Sequence, residues 1–182
     1  MTFFIYMRYM IPRFLIEIDE KLQKDIVRWK EIHQLKCSNS KAMALLLWRY
    51  KEFRNLVIYR NRSHKVKRRI LQLFYPPMET LYIDALEIGG GLFIQHGFAT
   101  MIAAEKIGEN CWINQQVTIG YKDNTRSPII GNNVMITCGA KVLGNITVGD
   151  NSVIGANAVV VKDVEPGSIM VGIPAKPINT RE

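Results

Sequence analysis

From Leu86 to Glu165 an aliphatic residue returns about every sixth position: Ile88, Ile94, Met101, Ile107, Ile113, Ile119, Ile130, Ile136, Val142, Val148, Ile154 and Val160. A period of six fits neither the 3.6-residue period of an amphipathic helix nor the alternation of a half-buried strand. It fits a β-solenoid, in which each hexapeptide makes one flat side, its aliphatic residue points to the axis, and three sides close a coil. The run predicts about four coils, each burying the apolar rows of its neighbours. Gly at 89, 108, 120, 131, 149 and 155, and Asn or Asp at 110, 132, 133, 145, 150, 151 and 157, tolerate the backbone angles of corners.

The rhythm breaks twice. One extra residue stands between Ile94 and Met101, in the segment holding His96 and Gly97. Five more stand between Ile119 and Ile130, where Tyr121 to Pro128 are polar and turn-rich. A side that only packs has no reason to interrupt itself, and loops lifted off a rigid scaffold are where binding and catalytic groups concentrate.

The first part of the 182-residue chain is different in kind. Residues 1–80 hold 17 Lys and Arg against 7 Asp and Glu, whereas residues 81–182 hold 7 against 9. The basic charges alternate with apolar residues at helical spacing, and no helix-turn-helix, zinc or RNA-binding signature accompanies them, so nucleic acid is not expected as a partner. A solvated helical face accounts for them, and acidic small molecules or an anionic membrane surface would also suit them. Cys37, Cys111 and Cys138 are odd in number with no short paired spacing, which indicates neither a disulfide framework nor a metal site and suits a reducing cytoplasm. Arg8 and Arg13 interrupt the apolar stretch from Met1 to Ile18, and no cleavage site follows, so a packed helix or dimer contact is expected there rather than a signal or membrane anchor.

From Pro12 to about Lys36, Phe14, Leu15, Ile18, Leu22, Ile26, Trp29 and Ile32 recur at helical intervals and predict one helix. Ser38 or Ser40 is placed to cap a second, from Lys41 to about Tyr59, and a third spans Lys65 to Phe74. Trp29 and Trp48 read as core, and His33 and His64 as surface or capping groups. Pro76 and Pro77 mark the boundary, giving an N-terminal helical domain over 1–77, a solenoid over 78–167 and a C-terminal tail over 168–182 that Pro174 and Pro177 keep extended along the coils.

The segments CWINQQVTI (111–119), VMITCGAKVLGN (134–145), IGANAVVVKD (154–163) and VGIPAK (171–176) resemble the serine acetyltransferase branch of the hexapeptide acyltransferases, over roughly residues 78 to 178. YKEFRNLVIYR (50–60) resembles the helix preceding the solenoid in capsule-locus members of that branch. The resemblance implies a left-handed parallel β-helix preceded by the helical domain, assembled as a homotrimer or a dimer of trimers. It implies acetyl-CoA in a groove between subunits, beside Gly120, Gly139, Ala140 and Ala158, with Lys162 and Lys176 toward the phosphates. His96, in the segment IQHG, matches the family's catalytic histidine, and an imidazole with a pKa near 6.5 suits removal of a hydroxyl proton. Backbone N–H groups near Gly120 would stabilise the oxyanion.

The acceptor side departs from the family pattern. Gln95 stands where serine acetyltransferases place an Asp before the histidine, and Leu81 where they place a second Asp, leaving Glu79, Asp84 or another subunit to orient the imidazole. In the loop, Arg126 is kept while Ser127 replaces a histidine, and Gln95, Arg126 and Ser127 are the expected acceptor-binding residues. The expected activity is acetyl-CoA-dependent O-acetyl transfer with no metal, to a sugar hydroxyl of a surface polysaccharide or its precursor. Serine is the alternative acceptor, and a non-catalytic scaffold the second alternative.

Overall fold

Three rows of aliphatic side chains run the length of residues 80–180. The first is Ile83, Ile102, Ile119, Val142 and Val160, on the parallel strands Leu81–Ile83, Thr100–Ile102, Thr118–Gly120, Lys141–Leu143 and Val159–Val160. The second is Ile88, Ile107, Ile130, Val148 and Val164, and the third is Ile94, Ile113, Ile136, Ile154 and Met170. Fourteen of the fifteen are at most 8% exposed, Ile83 being the exception, and burial of each such side chain is worth roughly 1.5–3 kcal/mol. Small or medium side chains two positions earlier, among them Val117, Ala140 and Ala158, fill the interior near the corners. The computed structural model describes residues 2–10, 12–123 and 126–180, which form two compact units, Met1–Glu79 and Thr80–Glu182.

The solenoid has five coils rather than four. Its first coil begins at Leu81–Ile83 and its last closes through Val164 and Ser168–Val171. Ile83 to Ile88 spans five positions and Val160 to Val164 four, so shortened corners hide these coils from a search at period six. Met101, expected to face the axis, is 47% exposed, and Ile102 takes the inward place in register with Ile119. Residues 168–171, read from sequence as tail, pair in parallel with Val153–Ile154, and Lys176–Thr180 returns antiparallel to them.

The corner between the second and third faces is the most regular. Gly91, Asn110, Asn133, Asn151 and Gly167 occupy one position in successive coils, all left-handed, with φ from 55° to 80°. Their side chains and neighbours stack: Asn133 donates to Asn151 at 3.1 Å, and Asp150 accepts from the Asn132 backbone at 2.7 Å and its amide at 3.1 Å. Those two bonds from Asn132 hold the Asp150 carboxyl below its ordinary pKa.

The helical unit corrects two expectations. The stretch from Pro12 is a short 3-10 turn, Pro12–Leu15, after a helix α1, Thr2–Met10; α2 is Glu20–Ile32 and begins because the Asp19 carboxylate accepts the Leu22 N–H at 2.7 Å. Phe14 and Ile18 consequently lie outside the packed face, 75% and 46% exposed. The second expected helix breaks at Tyr50 into α3, Asn39–Arg49, capped by Ser38, and α4, Lys51–Arg60. The Arg54 guanidinium donates to the Leu47 and Trp48 carbonyls at 2.6 and 2.7 Å, satisfying the end of α3 and stabilising the break. Trp29 is buried, whereas Trp48 is 45% exposed.

The third helix, α5, is Lys65–Phe74 as expected. Arg60 grips Asp25 through two hydrogen bonds of 2.8 and 3.2 Å, both side chains almost wholly buried. No helix among the described residues is long and apolar enough to cross a membrane.

Candidate active site

Eight positions separate the inward-facing Ile94 and Ile102, so the corner joining the third face to the first carries two residues more than a regular hexapeptide. At the same corner of the following coils one residue is left-handed: Gln116, Gly139 and Asn157 at φ 60°, 73° and 57°. Here three are: His96 at 64°, Gly97 at 50° and Ala99 at 51°. That region costs a residue with a Cβ about 1–2 kcal/mol, and it persists only where the surroundings impose it.

Those surroundings are visible as hydrogen bonds. The Phe98 N–H donates to the His96 carbonyl at 2.6 Å, and the Gln116 N–H to the Phe98 carbonyl at 3.0 Å. The Thr100 hydroxyl lies 3.2 and 3.4 Å from the carbonyls of Phe98 and Asn114. The corner presents the His96 imidazole to solvent, with no hydrogen bond to another described residue.

Gln95 is half-buried, and its side-chain oxygen accepts the Trp112 indole N–H at 3.2 Å, while the Trp112 ring meets Phe93 edge-on at 4.6 Å. Its amide nitrogen is therefore the group left to meet a ligand, a donor where an Asp would accept. One coil on, the residues after Ile113 are Asn114 and Gln115, the register neighbours of Gln95 and His96. Their side-chain oxygens are buried and have no hydrogen-bond partner among the described residues. A buried acceptor without a donor costs about 1–3 kcal/mol, which makes both oxygens candidates for a donor supplied from outside the described chain. The hexapeptide pattern gave no sign of them, because polar residues at corners look like solvated turns. Leu81 is buried in the first face and its side chain carries no polar atom, and Asp84 is exposed with no side-chain bond to His96.

The other expected residues gather at a different corner, between the first and second faces. Gly120 ends a strand there, and a Cβ added to it would meet no atom within 4 Å. Its carbonyl accepts the N–H of Gly144, which is left-handed at φ 95°. Arg126 is exposed and makes no ion pair among the described residues, whereas Ser127 is 5% exposed and offers little hydroxyl surface. Asn124 and Thr125 lie outside the described residues. Lys162 is exposed at the same corner of the last coil, and Lys176 is exposed at the start of the final strand.

Gly139 shares the His96 edge, where a Cβ would overlap the Asn157 side-chain oxygen. Ala140 and Ala158 are fully buried, and their backbones are bonded within the corners and ladders, with Thr118 and Lys141 donating to their carbonyls. Their side chains fill the solenoid interior. One chain thus holds two separate clusters, Gln95, His96, Asn114 and Gln115 on one edge and Gly120 and Arg126 on another.

The model of the bacterial transferase hexapeptide (six repeats) matches residues 127–162. The crystal structure of Neisseria gonorrhoeae serine acetyltransferase in complex with serine superposes with a TM-score of 0.68 at 32% identity, covering 88% of this chain and 68% of that one. This chain belongs to the hexapeptide-repeat serine acetyltransferase family.

A second family structure, Brucella abortus serine acetyltransferase in complex with coenzyme A, superposes with a TM-score of 0.67 at 28% identity, covering 89% of this chain and 68% of that one. The serine acetyltransferase of Staphylococcus xylosus is 42% identical over 123 residues, 64% of this chain and 56% of its own length. The chain spans about half the length of the curated relatives it matches, 39 to 57% for the first three.

Proposed function

We propose that the protein transfers an acetyl group from acetyl-CoA to the hydroxyl of a small acceptor, with His96 as general base. The observation that carries the reading is the two-residue insertion that forces His96 into a left-handed corner and leaves its imidazole in solvent, next to a coil whose Asn114 and Gln115 hold buried acceptor oxygens without a partner among the described residues. The imidazole removes the hydroxyl proton as the oxygen attacks the thioester carbonyl. The tetrahedral adduct then expels the thiolate, which takes the proton from the imidazolium, so the base is regenerated. Gly120 suits the acetyl-CoA side, since the space a Cβ would fill is open to a thin pantetheine chain, and exposed Lys162 and Lys176 suit its phosphates. Because the His96 edge and the Gly120 edge are different corners of one chain, a site using both is built between two copies, as in a homotrimer.

L-Serine is the acceptor favoured by the relatives named above, which are serine acetyltransferases, one of them solved with serine bound. A sugar hydroxyl in surface polysaccharide synthesis is the second reading. It rests on Gln95, whose free amide nitrogen repels an ammonium group that an Asp would attract, on buried Leu81 in place of a second Asp, and on the likeness of residues 50–60 to capsule-locus members. Release of CoA thiol is followed with L-serine and with a panel of free and nucleotide-linked sugars. A serine rate in the ordinary enzymatic range of roughly 1–10³ per second supports the first reading. Turnover with a sugar but not with serine transfers the conclusion to the second, and turnover with neither removes both.

A further inference from the structure

Helix α5, KVKRRILQLF, carries four cationic residues and no acidic one. At 3.6 residues per turn, Val66, Ile70 and Leu73 fall within about 60° of one another, on one stripe. That stripe faces outward: the three side chains are 73%, 38% and 80% exposed, while Leu71 on the opposite side is buried. Lys65 and Arg69 flank the stripe on one side and Lys67 on the other, all exposed and none paired with a carboxylate among the described residues. A helix that merely capped the unit would turn its aliphatic side chains inward and its charges outward, and this one exposes both together.

The helix is anchored by its inner side. It packs on α4 and on the 3-10 turn, and the Arg8 guanidinium donates to the Phe74 carbonyl at 3.0 Å, fixing its last turn. The 3-10 turn against which it packs adds Phe14, 75% exposed, with the Arg13 guanidinium 5.3 Å over its ring.

We infer that this face seats the protein on an anionic lipid surface. The arrangement of an aliphatic stripe between cations is what lets apolar side chains enter the acyl boundary while Lys and Arg stems run along it and their heads reach lipid phosphates. Charge selects this occupant. A second copy laid face to face would bring two sets of unpaired cations together, and a nucleic acid would gain nothing from three exposed aliphatic side chains. The inference stands apart from the choice of acceptor, since it uses no residue of the active site.

The test is co-sedimentation of the full chain with vesicles of phosphatidylcholine alone or with roughly three parts in ten phosphatidylglycerol. The expected result is at least tenfold stronger partitioning to the anionic vesicles, reduced by raising salt from about 0.05 to 0.5 M. Lys65→Glu, Lys67→Glu and Arg69→Glu together, and separately Val66→Ser with Leu73→Ser, should each reduce it about tenfold or more, with unchanged circular dichroism because every substituted side chain is exposed. Equal partitioning to both vesicles, or full binding by the Ser variant, overturns the inference. So does a change in the lipid-free oligomeric state of the Ser variant by light scattering, which would make the stripe a self-interface. Both variants should keep wild-type thiol release with a soluble acceptor, a readout that fails separately if the proposed reaction is wrong.

Discussion

His96 owes its position to two inserted residues and three left-handed backbone angles rather than to a partner side chain. Asn114 and Gln115 sit below it with unsatisfied oxygens, and they are the residues through which acceptor recognition can be tested. Asn114→Leu and Gln115→Met remove a buried acceptor at similar volume, so folding stability should hold or rise. Acceptor kcat/KM should fall about 10-fold or more while the KM for acetyl-CoA stays within twofold; loss of stability with unchanged kinetics would make both residues structural. Far from this corner, His33 stacks on Tyr50 and its Nδ1 lies 3.0 Å from the Tyr50 hydroxyl. Burial first, then the Arg49 charge, lowers its pKa below the ordinary 6.5. A lowered folded pKa means that the unfolded chain binds the proton more readily, so stability present above pH 6.5 is lost as pH falls through that value toward the folded one. The thermal midpoint should therefore drop between pH 7.5 and 5.5, and His33→Gln should flatten part of that slope. The candidate base His96 stands out in sequence because a solenoid histidine in a broken repeat is conspicuous, whereas the candidates Asn114 and Gln115 do not, because what marks them is a missing hydrogen bond.

At the scale of the element, the corner decides what each hexapeptide does. Gly120 is a glycine by function if a ligand passes beside it, since its own chain leaves the space open. Gly120→Val should fold like the wild type and raise the KM for acetyl-CoA at least tenfold, with calorimetry of CoA binding as the direct check. Gly139 is a glycine by necessity: its φ is 73° and a Cβ would strike Asn157, so Gly139→Val should lower stability by about 2 kcal/mol or more whatever the ligand. The six-residue period predicted the solenoid and the inward rows because axial packing repeats with every side. It misplaced Met101 and missed the outer coils where corners shorten, since a corner of four or five residues preserves the row while destroying the spacing. The helices were legible as apolar stripes, but not the break at Tyr50, which Arg54 stabilises from outside the local sequence.

The whole molecule joins a basic helical unit to a solenoid whose candidate residues lie on two edges. Serine acetyltransferases share the fold, and the proposed site spans two copies of the chain. Mixing His96→Ala chains with Gly120→Val chains by refolding should restore part of the activity that each lacks alone, because some mixed interfaces carry both intact edges; no recovery would place each site within one chain. This level was the least legible in sequence, since period and motif describe one chain and the site's completeness depends on how copies meet. The central claim is that His96 removes the acceptor proton. It is tested most directly by CoA-thiol release from acetyl-CoA and the preferred acceptor, with wild type and His96→Ala at equal, saturating concentrations and with CoA affinity verified for both. His96→Ala should lower kcat by about 10²–10⁴ with CoA affinity unchanged, and equal rates for the two proteins would contradict a role for His96 as the base.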